Sequence, residues 1–239
     1  MTSSIKILSF LILLIKQVPG AGLERATARS SAECSPRLSY PGIPQIQIVR
    51  NLSLSFQNII GINKMLEKFF QKVLELKNVP RQGWKGKLEI NNPESVAEHS
   101  YSTAVISMIL SDLEGLNTEK IVKMALLHDL AESIIGDIIP GSITKNEKVR
   151  KENIAMKQIL KNLPDKIAEP YFEIWNEYQK NSSQESRLLH DIDKLEMAFQ
   201  AKFYQNKGIS KEKLQTFFNT AKKEIKSKNL RNILSNFME

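Results

Sequence analysis

From Leu66 onward apolar residues recur at three- and four-residue intervals, the period of an amphipathic helix. Leu66, Phe69, Phe70, Val73 and Leu76 form a first stripe. The run NVPRQGW at 78–84 breaks it, with Pro80 and Gly83 as punctuators, and a polar loop is expected as far as Pro93. Pro93 suits the first turn of a second helix, whose stripe continues through Val96, Ala104, Met108 and Leu113 and closes at Gly115. Thr118 is the expected cap of a third helix, with Ile121, Met124, Ala125 and Leu127 inside and an end near Gly136. A charged amphipathic helix follows over about 144–163, and Pro164 restarts the chain. Further helices are expected at about 165–179, 184–205, 211–225 and 229–237. With no convincing run of alternating β-branched residues and no internal repeat, the pattern predicts an all-α, irregular multi-helix bundle.

Ahead of Gly61 the text has Ser, Gly and Pro clusters without sustained periodicity, so residues 1–61 are expected to form a poorly ordered extension and 62–239 the folded domain. Within that domain the helices at 206–239 follow the part that carries the chemistry. Lys6 and the apolar run at 7–15 superficially resemble a secretory signal. A nine-residue run falls short of the roughly 20 residues that a bilayer-spanning helix needs. Lys16 ends it, and no clean A-x-A site follows. A translation start at Met65 and a cytoplasmic protein with no membrane partner is the plainer expectation, with a weak export signal or anchor as the alternative.

The 239 residues are 41% hydrophobic, 25% charged and 7% aromatic, which fits a globular chain and argues against a collagen-like or wholly disordered one. One cysteine, Cys34, excludes an intrachain disulfide and a Cys-based zinc site. The net charge of +8 is peripheral: basic residues are in excess at 1–60 and from Lys207 onward, and the stretch between is nearly neutral. Without an arginine-rich run or an RNP-like aromatic pattern, nucleic acid is not the expected primary partner. Any metal chemistry must use carboxylates and the three histidines, His99, His128 and His190.

ALLHDLAE sets His128 and Asp129 side by side in an otherwise apolar helix, where an ionisable pair costs free energy unless a partner or a metal compensates it. Glu132 lies four residues after His128 and three after Asp129, so the three can share a region of helix surface, and Asp137 follows where that helix should end. PESVAEHS sets His99 on the preceding helix, and HDIDKLEMAFQA sets Asp191 and Asp193 on a later one. One His, a His-Asp pair and a distant Asp on separate helices make a mixed N/O donor set for one divalent ion. Such a set suits Mn, Co, Fe, Ni or Zn better than Ca.

These segments resemble the HD-domain metal-dependent phosphohydrolases, whose H…HD…D pattern is met by His99, His128-Asp129 and Asp193. The 5′-deoxynucleotidase branch is the nearest in pattern, through an Arg and a Trp before the first His, a PESVAEHS-like segment and HDxxExxxxD. The resemblance covers about 66–205 and leaves both ends unexplained.

It implies an HD-domain bundle with a central metal site in which His99, His128, Asp129 and Asp193 hold one divalent ion, Mn, Co or similar, with Mg or Zn as alternatives. Glu132 would be the catalytic acid/base, and Arg81, Trp84 and Asp137 would meet a deoxyribonucleoside monophosphate. Asp191 and Asp193 lie about 200° apart on a helix of 3.6 residues per turn, so only one can face the ion. Asp193, which precedes Lys-Leu, is the choice. The gap made by Gln82 and Gly83 leaves Trp84 a looser match than Arg81.

His190 is more in keeping with a partner-bonded residue than with a ligand, and Tyr171, Trp175 and Tyr178 with packing than with base stacking. The implied reaction is removal of the 5′-phosphate from a deoxyribonucleoside monophosphate. The alternatives are an HD-type hydrolase of a triphosphate, a cyclic nucleotide or another phosphate ester, and a non-catalytic helical binding module. Apolar helical faces beyond the site are compatible with a homodimer.

Overall fold

The computed structural model describes residues 45–88 and 90–238. The chain separates into Met1–Ile48 and Val49–Glu239, and the fold is that of the second unit. Its helices are α1 (Gln45–Glu75), α2 (Gln82–Leu88), α3 (Val96–Glu114), α4 (Thr118–Leu127), α5 (Glu132–Ile135), α6 (Lys145–Leu160), α7 (Asp165–Lys180), α8 (Gln184–Asn206), α9 (Lys211–Glu224) and α10 (Lys228–Met238). A 3-10 turn, Leu76–Asn78, ends α1. Among the described residues the only β-pairing is an isolated bridge between Pro80 and Ser95. The fold class is all-α, as the helical periodicity predicts.

The boundaries follow local chemistry. Ser95 caps α3 through a reciprocal capping box with Glu98, whose N–H meets Ser95 Oγ at 3.2 Å while its carboxylate accepts from the Ser95 N–H at 2.6 Å. Pro93 therefore precedes the helix instead of opening its first turn. Gly115, at φ 67°, ends α3 in the left-handed region that glycine enters without penalty. The cap of α4 is Asn117 and not Thr118: its side chain accepts from Lys120 N–H at 3.0 Å, while the Thr118 hydroxyl is engaged by Asp112. The helix expected to run to Gly136 breaks after Leu127, and the short α5 resumes at Glu132.

Three further differences from the sequence pattern have physical causes. Helix α1 begins at Gln45, well before Leu66; residues 1–44 of the expected extension lie outside the described residues. Along its C-terminal half Leu66 and Phe69 are half-buried, and Leu76 in the 3-10 turn beyond it is buried, but Phe70 and Val73 face outward. The expected loop before Pro93 contains α2, a seven-residue helix held by the burial of Trp84 and Leu88 despite Gly83 and Gly86. Helix α3 buries Val96 and Ala104, as the stripe predicts, but its covered face continues through polar residues and not through Met108 and Leu113. His99, Ser100, Thr103, Ser107 and Ser111 are buried, whereas Tyr101, Val105, Met108, Ile109 and Leu113 are exposed, Leu113 to 77%.

Helix α8 is the central element. Its Leu189, Ile192, Leu195 and Ala198 join α2, α3, α4, α9 and α10 in one core, each fully buried branched side chain contributing about 1.5–3 kcal/mol. Leu76 of the 3-10 turn, Val96 of α3, Leu127 of α4, Met156 and Ile159 of α6 and Trp175 of α7 build a second core, against which Leu66 and Phe69 of α1 pack. Ala125 belongs to the first core and Leu127 to the second, so the chain leaves α4 at His128 along the seam between them.

Candidate active site

The seam gathers groups from separate elements. His99 lies in the first turns of α3, His128 at the C-terminus of α4, Asp129 in the turn that follows, Glu132 at the start of α5 and Asp193 in the middle of α8. His99 Nε2 is 3.1 Å from Asp193 Oδ1 and 3.7 Å from Asp129 Oδ2, and His128 Nε2 is 3.2 Å from that same Asp129 oxygen. One ligating atom each of His99, His128 and Asp193 lie within 4.8 Å of one another.

Both imidazoles are turned the same way. His128 Nδ1–H donates to the Ala125 carbonyl at 2.6 Å, and His99 Nδ1–H donates to Glu196 at 2.6 Å. Each Nε2 is left buried without a hydrogen-bond partner. Two orphaned imidazole nitrogens converging on two carboxylates is a donor set that fits a divalent ion of the borderline class.

The electrostatics agree. Burial by itself would raise Asp129, but His128, Arg81 and His99 overcome it and hold the carboxyl below the usual range. Burial opposes ionisation of Asp193 as well, and Lys194, at 2.9 Å, and His99 outweigh it. Both carboxylates are therefore anionic, as metal ligation requires. Burial and Arg81 push His99 down, but Glu196 and Asp193 prevail and its pKa is pushed up to about 10, so the pocket favours positive charge at that ring.

Glu132 behaves differently. It is 3% exposed, its Oε2 has no partner, and burial together with Asp129 and Asp137 raises its carboxyl well above the ordinary value. Arg81 Nη1 reaches Asp129 Oδ2 at 3.3 Å. Burial weakens the Arg81 charge, yet Asp129, Asp193, Asp137 and Glu132 around it raise its pKa on balance. Asp137 accepts from the Gln82 N–H at 2.6 Å and so ties down the start of α2 beside Arg81.

Trp84 stands apart from the others. It is 2% exposed, with its ring 4.0 Å from that of Phe217 and 5.3 Å from that of Tyr204, and its indole N–H donates to Glu94 at 2.7 Å.

The two neighbouring candidates on α8 separate cleanly. Asp193 faces His99, whereas Asp191 accepts from Lys226 N–H at 3.0 Å and Ser227 N–H at 2.6 Å and anchors the entry to α10. His190 Nε2–H donates to the Tyr178 carbonyl at 3.0 Å with its ring stacked on Tyr178. Trp175 donates to the His128 carbonyl at 3.3 Å, and Tyr178 meets the His128 ring edge-on.

Sequence reasoning missed Glu94 and Glu196, which lie within segments quoted for their histidine and aspartates, and Lys148. Lys148 is on α6, which packs on α5, and pairs with Glu152 at 3.4 Å. Burial disfavours its charge, and Glu152, Asp129 and Glu132 more than restore it. In the sequence it is one lysine among many on a charged helix, with no signal to single it out.

The profile of the HD domain family matches residues 73–233. The chain belongs to the HD domain family. Among its relatives, 5′-deoxynucleotidase HDDC2 of Homo sapiens is 40% identical over 158 residues, 66% of this chain and 76% of that protein. The HDDC2 5′-deoxynucleotidase of Xenopus laevis is 36% identical over 177 residues, covering 74% and 87%. The crystal structure of the PH0347 protein from Pyrococcus horikoshii OT3 superposes with a TM-score of 0.61 at 37% identity, over 72% of this chain and 97% of that one. In this HD-domain chain the matched span contains every residue of the seam, from Arg81 to Glu196.

Proposed function

We propose that the protein is a metal-dependent 5′-deoxynucleotidase, hydrolysing deoxyribonucleoside 5′-monophosphates to deoxynucleoside and phosphate. The observation that carries this reading is the pair of buried, unpartnered Nε2 atoms of His99 and His128 facing Asp129 and Asp193. The names of the HD-domain relatives supply the substrate class. The catalytic unit is taken as 62–239, with the motif-bearing core at 66–205.

His99, His128, Asp129 and Asp193 would hold one divalent ion, Mn or Co in preference and Mg or Zn as alternatives. When bound, it supplies acidification of water and stabilisation of charge on the phosphate oxygens.

The chain's own groups do the rest. Arg81, charged at all working pH, clamps the phosphate through its guanidinium N–H donors. Lys148 adds a second cation beside carboxylates that would otherwise repel a phosphate dianion. Asp137 holds the Arg81 turn through Gln82 and borders the nucleotide. As a water oxygen attacks phosphorus and the bond to O5′ breaks, Glu132 takes the proton that the water gives up, and the departing oxygen regains one. A carboxyl pushed upward by burial, Asp129 and Asp137 holds a proton more readily than an ordinary glutamate, which suits it to accept and return that proton.

A phosphate-release panel of ribo- and deoxyribonucleoside mono-, di- and triphosphates and cyclic nucleotides, run with Mn, Co, Mg and Zn, tests the reading. Release from the deoxyribonucleoside monophosphates with Mn or Co is expected. Turnover confined to triphosphates or cyclic nucleotides overturns it.

Among the described residues no helix is long and apolar enough to cross a membrane. We assign the enzyme to the cytoplasm, working as a homodimer. The exposed apolar face of α3 supports the dimer, since such a patch on a globular chain marks an interaction surface. Light scattering should return twice the 27.2 kDa chain mass, falling to the single mass in Ile109→Asp. A monomer at micromolar wild-type protein would remove the dimer and leave the hydrolase.

A further inference from the structure

Behind His99 lie two buried carboxylates that the reaction does not use. Glu196, almost one helical turn along α8 from Asp193, accepts the His99 Nδ1 proton at 2.6 Å. Glu94 brings an oxygen into the same cluster, in which one ligating atom of each of Glu94, His99 and Glu196 lies within 4.8 Å of the others. Glu94 is fixed in turn: its carboxylate accepts from the Trp84 indole at 2.7 Å, and its backbone N–H donates to the Tyr204 hydroxyl oxygen at 2.8 Å. Glu94, His99, Glu196, Trp84 and Tyr204 are all buried.

A neutral imidazole carries one N–H and one lone pair. Ligating one ion through Nδ1 and another through Nε2 would demand an imidazolate, so a second cation among Glu94, His99 and Glu196 is disfavoured. Two buried carboxylates still cost free energy that some interaction must offset. Hydrogen bonding to the ligand ring is what Glu196 is placed to do, with Glu94 close beside it.

We propose that Glu196, with Glu94 held beside it by Trp84, is a positioning residue. It fixes His99 in the Nδ1–H tautomer, aims the Nε2 lone pair into the metal centre and makes His99 the stronger donor of the two histidines. The contrast is internal to the site, because His128 has only the neutral Ala125 carbonyl behind its Nδ1, whereas His99 has a carboxylate. Trp84 then acts on the centre through Glu94, from within the core, without meeting the nucleotide. This rests on the ligand role proposed for His99 and not on the identity of the substrate.

The test is Mn(II) titration of the full chain by calorimetry without nucleotide, with Mn(II) electron paramagnetic resonance to report the ligand field and circular dichroism to report folding. Glu196→Ala should weaken Mn binding by about 10–100-fold, the usual cost of losing such a partner. Glu196→Gln keeps an acceptor oxygen and the side-chain volume without the charge, so it should fall between wild type and Glu196→Ala; should Glu196→Ala fail to fold, Glu196→Gln decides. Trp84→Phe keeps a ring against Tyr204 and Phe217 but loses the donor to Glu94. It should weaken Mn binding by a smaller factor and leave KM for nucleotide at saturating Mn unchanged.

Wild-type Mn affinity and resonance in the folded Glu196 variants would overturn the proposal. A Trp84→Phe protein with unaltered Mn binding and a raised KM would return Trp84 to the nucleotide and overturn the Glu94 limb. Wild-type protein that binds Mn but releases no phosphate from deoxyribonucleoside monophosphates would sink the substrate reading and leave this one standing.

Discussion

Replacing either His128 or Asp129 by Ala should strip the protein of its divalent ion and its phosphatase activity together, with helicity by circular dichroism close to wild type. Both residues stand where α4 has ended, and neither belongs to either hydrophobic core. His128 Nε2 is buried with no partner and faces Asp129 Oδ2 at 3.2 Å, which is also 3.7 Å from His99 Nε2. Loss of either donor therefore removes an atom from the centre of the set while the packing of α4 and α8 is kept.

The control is Asp191→Ala, two residues from the proposed ligand Asp193. It deletes the acceptor for Lys226 and Ser227 N–H at the entry to α10 and should cost about 0.5–2 kcal/mol, the worth of a helix cap. That variant should show a lower melting temperature with full metal content. Stoichiometric metal and full turnover in both His128→Ala and Asp129→Ala would overturn the assignment of the ion to this seam.

What the sequence reveals of this arrangement depends on how rare each residue type is in its setting. His128-Asp129 is legible because an ionisable pair in an apolar helix has few uses, and Glu132 because helical spacing carries it onto the same surface. Helical angle alone separates Asp191 from Asp193, and they do face apart in the structure, one to the entry of α10 and one to His99.

The polar covered face of α3 beyond Val96 and Ala104 is not legible in the same way. The buried serines and Thr103 look solvent-facing, and Met108 and Leu113 look like core, because periodicity reports that a helix has two faces and not which one is covered. Helix α2 is hidden for another reason. Its seven residues include two glycines and two lysines, so local propensity argues against it and only the tertiary burial of Trp84 and Leu88 holds it. Glu94 and Glu196 are ordinary acids in the sequence, and their meeting at His99 is a long-range contact that no local pattern announces.

Glu132→Ala and Arg81→Ala should fail in different ways, and the difference separates chemistry from binding. Glu132 is buried, has a free oxygen and is raised by burial, Asp129 and Asp137, the condition of a carboxyl kept for proton transfer. Its loss should leave metal content and substrate affinity near wild type and lower kcat by about 10²–10⁴-fold, the range for a general acid or base. Arg81 touches Asp129 at 3.3 Å and carries the guanidinium that would grip phosphate.

Arg81→Ala should therefore raise KM strongly, with kcat falling further only as far as the contact tightens in the transition state. Metal content by mass spectrometry and Michaelis curves for one deoxyribonucleoside monophosphate at saturating Mn read both effects. Equal, modest losses in the two variants, or loss of metal from Glu132→Ala, would mean that Glu132 is held to the ion and that the proton is handled by another group.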